Sequence, residues 1–244
     1  NSLPENIYTN QKSSSKYEIE EFNVFINCPI EIHLISVLWI LEVGQKLDKE
    51  LETDIHGYRL VRNIDGNIEE NSFNLFEKYH DRYMQFRDGA LKKAIELHKE
   101  KLDTTIINLD VKSFFYNIIF NFEEECSDFA ETKNDHILNK IMDEIHNRFK
   151  KILKDKNIKS DTEKIIPIGL LSSSIVANYA LKEFDREITT NVRPAFYSRY
   201  VDDMLIVLTN TELEINDPIK EILNSCIFKK MDFSFTPDES SDIN

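Results

Sequence analysis

Three carboxylates stand out by position. Asp110 ends a β-branched apolar run at residues 104–111 (TTIINLDV), and Asp202-Asp203 sit between two apolar arms, residues 196–201 and 204–208. Adjacent carboxylates among apolar strands are costly unless positive charge offsets them. Asp is also common in solvent-exposed turns, an ordinary explanation for an isolated Asp-Asp. The chemical alternative is a divalent-metal site. Hard carboxylate oxygens hold Mg²⁺ and leave positions open for phosphate oxygens. Other chemistries lack their signatures. The six His show no HExxH and no paired ligand spacing, there is no Cys–His zinc pattern, and no Walker-type glycine loop is present.

Periodicity predicts the elements that must position these acids. Residues 31–52 carry Ile32, Ile35, Leu38, Trp39, Val43 and Leu47 at helical spacing. Residues 56–70 read as a short strand and a turn at Asp65-Gly66. Residues 73–101 predict one long helix or two abutting ones, and residues 104–111 a strand. Residues 113–135 hold an aromatic cluster and then Glu123-Glu124-Glu125, a helix start or loop. Residues 136–154 are amphipathic, and a Lys-rich loop runs to Lys164. Pro167-Ile168-Gly169 opens a helix to about Thr189, and residues 195–208 form a hairpin around Asp202-Asp203. A short helix at 219–228 and a strand at 231–236 follow; residues 1–25 are polar and loop-like. Helices first and mixed elements later predict an α+β fold.

Composition sets outer bounds. Apolar and aromatic residues make up 41% of the 244, which excludes a wholly disordered chain. Cys28, Cys126 and Cys226 are widely spaced and odd in number, so no disulfide framework is expected and a reducing cytoplasm is the default. No apolar run reaches the ~18 residues of a membrane helix, and the polar start carries no signal peptide. The sequence starts without an initiator Met, so a fragment or trimmed chain is expected. The net charge of −14 speaks against coating nucleic acid by charge alone. That charge is uneven: residues 202–244 hold ten acids and three bases, whereas residues 136–164 hold eight bases and five acids.

Three segments carry a resemblance. Asp110 is followed by Val-Lys-Ser-Phe-Phe-Tyr-Asn-Ile (111–118). Next comes Ile-Pro-Ile-Gly-Leu-Leu-Ser-Ser-Ser-Ile-Val-Ala-Asn (166–178), then Tyr-Val-Asp-Asp-Met-Leu-Ile (200–206). In that order they resemble motifs A, B and C of reverse transcriptases, over about residues 100–210. The resemblance implies a palm, an antiparallel sheet with packed helices, over 101–244. Motif A would span 104–118, motif B 166–185 and motif C 196–208. Residues 1–100 would be mostly helical fingers. It also implies RNA-directed DNA polymerase chemistry with two metals roughly 3.5–4 Å apart. Mg²⁺ is expected, with Mn²⁺ as the alternative. Asp110 and Asp202 would bridge the metals, Asp203 would support them, and the Val111 carbonyl would be a further ligand.

For the nucleotide, the resemblance makes Phe115 a steric gate against a ribose 2′ hydroxyl; a plain core Phe is the competing explanation. Phe114 should point the opposite way if the segment stays extended. Gly169 permits close backbone approach. Asn178 matches the motif B Asn, on one helix face with Ser174 and Leu181, although a helix-surface Asn explains it as well. Ile168 replaces the Gln that many members carry before this Gly. Arg59 and Arg62 are the candidate triphosphate cations, with Lys112 and Arg87 behind them. The implied partners are deoxynucleoside triphosphates, an RNA template or noncoding RNA, the DNA product, and a partner protein or second copy.

The branch most resembled is the bacterial defence-associated and abortive-infection reverse transcriptases. Some members of that branch polymerise without a conventional template. Retron enzymes usually carry an Asn-Ala-x-x-His element and a later Val-Thr-Gly, and neither occurs here. A retron-type enzyme is one alternative, and a catalytically idle subunit that binds RNA or a partner is another. Only 41 residues follow Asp203, so the thumb is expected to be truncated or supplied elsewhere. Residues 231–240 resemble motif D, with Glu239 about where many members have Lys.

Overall fold

Apolar side chains at helical spacing form α1 (Ile30–Trp39), a π-helical turn (Ile40–Gly44) and α2 (Gln45–Lys49). This computed structural model describes residues 23–158, 164–209, 223–224 and 226–231. The single helix expected over 31–52 is thus widened in the middle and ends at Lys49. Gly44 shows why the two halves fit. A Cβ there would lie 2.7 Å from the Trp39 ring, so the indole packs directly over the glycine. Trp39, Ile40, Val43 and Leu47 are fully buried. They meet α5 (Lys133–Asp155) and α6 (Leu171–Ala180). Trp39 Nε1 donates to Asn139 Oδ1 of α5 at 2.8 Å, and Phe122 of the short α4 (Phe122–Glu125) meets the indole edge-on at 5.0 Å.

The helix expected over 73–101 begins only at Tyr79, as α3 (Tyr79–Lys99). Residues before it pair with the preceding segment instead. Val61 N donates to the Leu75 carbonyl and Glu77 N to the Arg59 carbonyl, and isolated bridges join Leu60 to Phe76 and Arg62 to Ile68. Tertiary pairing overrides helical propensity there. Residues 50–78 are therefore irregular rather than helical. Residues 1–22 and most of the helix and strand expected over 219–236, with residues 232–240 of the motif D resemblance, lie outside the described residues.

Among the described residues the sheet has three antiparallel strands: β1 (Thr104–Leu109), β2 (Phe196–Tyr200) and β3 (Asp203–Thr209), ordered β1-β3-β2. Side chains alternate across it. Met204, Ile206, Leu208, Tyr197 and Ile107 pack with Ile188 and Val192, which follow α7 (Lys182–Glu187). Leu205, Val207 and Phe196 pack against Ala90 and Leu97 of α3. The result is an α+β fold with an antiparallel palm-like sheet. No helix among the described residues is long and apolar enough to cross a membrane.

One core residue makes stability sensitive to acid. His146 of α5 is 1% exposed, and neither ring nitrogen has a partner among the described residues. Burial, helped by Lys150, lowers its pKa from 6.5 to about 3. The unfolded chain therefore takes up this proton first. The contribution to stability is complete above the ordinary value of 6.5 and is lost as pH falls towards about 3. His146→Leu should flatten the loss of stability between neutral pH and pH about 4. Denaturant midpoints across that range measure it, and identical acid dependence in the two proteins would refute it.

Candidate active site

Strand register brings the acids together. Leu109 pairs with Met204, and Tyr200 pairs with Asp203. Asp110 follows directly on Leu109, so extending the register by one step sets it opposite Asp203, and its charge acts on both Asp202 and Asp203. Asp110, Asp203 and Tyr200 thus form a row across the sheet on one face. Asp202 lies in the two-residue loop Val201-Asp202 that joins β2 to β3. Val201 takes φ +59° and Asp202 does not share the positive φ, the pattern of a II′ hairpin turn. That first loop position normally favours glycine. A β-branched residue there is strained and must be held by its surroundings.

The three acids feel one another. Burial first, then the charges of Asp110 and Asp203, raise the Asp202 pKa above 3.8. Burial and Asp110 raise that of Asp203. Asp110 itself is exposed. Among the described residues no three His, Cys, Asp or Glu side chains are already gathered closely enough to hold an ion. The donor set nevertheless fits a hard divalent cation: all donors are oxygens, and the raised pKa values record a cost of charge, from burial first and neighbouring carboxylates second, that a cation would relieve. Val111 is half-buried and packs against both large core clusters.

Tyr200 is walled by α3. Its ring meets Tyr79 and Tyr83 edge-on, each at 5.5 Å, and Phe86 at 6.0 Å. Burial and the neighbouring tyrosines push its phenol up to about 12, so it stands beside the acids as a neutral hydroxyl.

The segment after Asp110 is not extended, which corrects the expected opposition of Phe114 and Phe115. Ser113 takes φ +53° and Phe114–Tyr116 form a 3₁₀ turn. Phe114 is buried, while Phe115 is half-buried with its ring 5.8 Å from that of Phe114. The Phe115 carbonyl accepts from Ile166 N at 3.0 Å, so the candidate gate is tied to the start of the Pro167-Ile168-Gly169 segment. Gly169 takes φ +96°, a conformation suited to glycine. Lys112 is exposed.

Three expected nucleotide contacts are instead used inside the fold. Asn178 is 1% exposed. Its Nδ2 donates to the Gly57 carbonyl, and its Oδ1 accepts from Arg199 Nη1 at 3.2 Å. Arg59 and Arg62 converge on buried Asp48, at 2.9 Å each. Arg59 also donates to the carbonyls of Asp48, Leu51, Glu52 and Ile55, and Arg62 to those of Gln45 and Gly66. Both arginines close the C-terminal end of α2, whose unpaired carbonyls need donors. Arg87 bonds its neighbour Asp88. Sequence reasoning missed Arg199, which is 0% exposed and supports the turn from below. Its inward position beside Tyr197 in an apolar strand was the available signal, because a buried guanidinium demands a partner.

A family model described as reverse transcriptase (RNA-dependent DNA polymerase) matches residues 52–236. A curated relative, the Retron Ec73 reverse transcriptase of Escherichia coli, is 27% identical over 166 residues, covering 66% of this chain and 50% of its own length. The chain spans about half the length of that relative.

Proposed function

The chain belongs to the reverse transcriptase family, and from that premise we propose that it adds deoxynucleotides to a DNA strand by two-metal nucleotidyl transfer. The observation that carries the reading is the register that ends β1 beside β3, with Asp110 just past Leu109, Asp203 at the start of β3 and Asp202 in the adjoining turn. Asp110 and Asp202 would hold the cations, with Asp203 and the Val111 carbonyl beside them. When bound, Mg²⁺ or Mn²⁺ would lower the cost of the attacking 3′ hydroxylate and of the leaving pyrophosphate. The chain's own part is positional. The β2–β3 turn holds the acids, the half-buried Phe115 ring borders the sugar, and Gly169 lets the backbone approach the nucleotide. Lys112 is the exposed cation nearest Asp110 in sequence and is the proposed phosphate contact. Residues 101–209 act as palm in this reading, and residues 23–100 as the fingers side.

The test is incorporation of labelled deoxynucleotide on an RNA template by the full-length protein with Mg²⁺. Selectivity supplies a second check. If Phe115 is the gate, Phe115→Ala should raise ribonucleotide use relative to deoxynucleotide by on the order of tenfold or more. Direct competition measures this, and unchanged selectivity would return Phe115 to a purely packing role.

The motifs support a bacterial antiphage role with a noncoding RNA, while the retron relative favours a retron-type enzyme as the second reading. Sequencing the nucleic acid that copurifies with the full-length protein separates them. A structured RNA joined to its DNA copy supports the retron type.

A further inference from the structure

Arg199 is fully buried, yet every direction of its guanidinium is answered. Nε and Nη2 donate to the two carboxylate oxygens of Asp185, at 2.8 and 2.6 Å. Nη1 donates to the Val201 carbonyl at 2.6 Å and to Asn178 Oδ1 at 3.2 Å, and Nη2 also donates to the Asn178 carbonyl at 3.0 Å. One side chain therefore joins α7, α6 and the turn that carries Asp202 and Asp203. Asp185 is itself held by the Tyr197 hydroxyl at 2.5 Å.

The turn needs such a grip. Val201 sits at φ +59°, a costly conformation for a β-branched residue that persists only where the surroundings over-determine it. Its other side is closed by Gly57. A Cβ at Gly57 would lie 2.5 Å from Val201 Cγ2 and 2.8 Å from Val201 N. The Gly57 carbonyl is in turn bonded by Asn178 Nδ2. Arg199 and Gly57 thus trap Val201 from two sides, and Asn178 links the two.

We propose that Arg199 is the positioning residue of the carboxylate turn: through the Val201 carbonyl it holds a strained backbone that places Asp202 and Asp203 against Asp110, and it anchors that turn to α6 and α7. The proposal rests on the reverse-transcriptase reading of the acids. A buried ion pair alone would not require the Val201 contact, because the Asp185 carboxylate already balances the charge. The contact to the strained residue next to Asp202 gives the arginine its function.

The variant is Arg199→Gln with Asp185→Asn. It keeps the pair neutral overall, so metal binding reports geometry rather than a changed field. In full-length protein shown to be folded by circular dichroism, kcat for deoxynucleotide incorporation should fall about 100-fold while KM for the nucleotide changes about threefold or less. Half-saturating Mn²⁺, read by electron paramagnetic resonance without substrate, should rise about tenfold. Adding Val201→Gly, which adopts positive φ freely, should restore at least about a tenfold share of the lost kcat and of the Mn²⁺ affinity. Should the double variant fail to fold, Arg199→Lys replaces it, since lysine keeps the charge but cannot bridge three partners.

A folded variant with native kcat and native Mn²⁺ binding overturns the proposal. So does a Val201→Gly background that recovers nothing. A native protein that binds Mn²⁺ but incorporates no nucleotide overturns the polymerase reading instead, and the Mn²⁺ arm then judges Arg199 alone.

Discussion

Asp202→Asn should abolish nucleotide incorporation and, in a chelator, make the protein more stable. Both effects have one cause. Asp202 and Asp203 carry pKa values above 3.8 because burial and neighbouring carboxylates penalise their charge. A folded value above the unfolded one means that protonation favours the folded state. Their cost therefore appears as pH rises through the window just above 3.8 and is fully present at neutral pH. A neutral amide removes the cost, so the metal-free variant should melt at a higher temperature than the native chain at pH 7. Adding Mg²⁺ should narrow or reverse that difference, because only the native acids gain from binding. Activity moves the other way. Losing one metal ligand removes several kcal/mol of charge stabilisation, which at 1.36 kcal/mol per decade is about a 1000-fold loss or more. Melting scans with and without Mg²⁺, beside incorporation assays, measure both halves. A variant that is less stable in chelator would show the acids to be structural, and unchanged incorporation would remove them from the chemistry.

Asp185→Ala should be among the most damaging single substitutions in the described part of the chain. It strips Arg199, 0% exposed, of two hydrogen bonds to a carboxylate that is itself in a 2% exposed residue. An uncompensated buried charge costs about 3–5 kcal/mol, a large share of the 5–15 kcal/mol that typically holds a domain together. Tyr197 loses its hydroxyl partner in the same step. Pairing Asp185→Asn with Arg199→Gln should recover most of that loss, because neither charge then remains buried alone. Chemical denaturation of the two variants gives the comparison. If Asp185→Ala costs less than about 1 kcal/mol, the pair is not holding the fold. The informative contrast is between recovered stability and unrecovered kcat in the neutral pair.

The placement of the three acids was legible in the sequence because it is written in short segments. Asp110 at a strand end and Asp202-Asp203 in a hairpin are local patterns, and β1, β2, β3 and α5 follow from periodicity of two or near four. The Pro-x-Gly opening of α6 was legible for the same reason. What escaped was long-range partnership. Asp48 lies 11 and 14 residues from Arg59 and Arg62, and no local signal shows that it is buried between them, so both arginines read as free cations. Arg199 and Asp185 lie 14 residues apart on different elements, and Asn178 reads as a surface residue until α6 is packed. The turn at Ser113, with φ +53°, also defeated pattern reading. Serine carries no strong left-handed preference, so nothing in the residue types marks the turn. Only Arg199 among these reaches the acid-bearing turn directly, through the Val201 carbonyl, and sequence spacing gives no sign of that contact.

The proposed role of the three acids at one end of the β1–β3–β2 sheet is catalysis of DNA synthesis. Primer extension by the unaltered full-length protein on a defined RNA template tests it most directly, with Mg²⁺ supplied and then chelated. The expected result is a labelled DNA product complementary to the template that forms with Mg²⁺, stops on chelation and is absent with Asp110→Asn. Extension that persists in chelator, or that survives Asp110→Asn at the native rate, would contradict it.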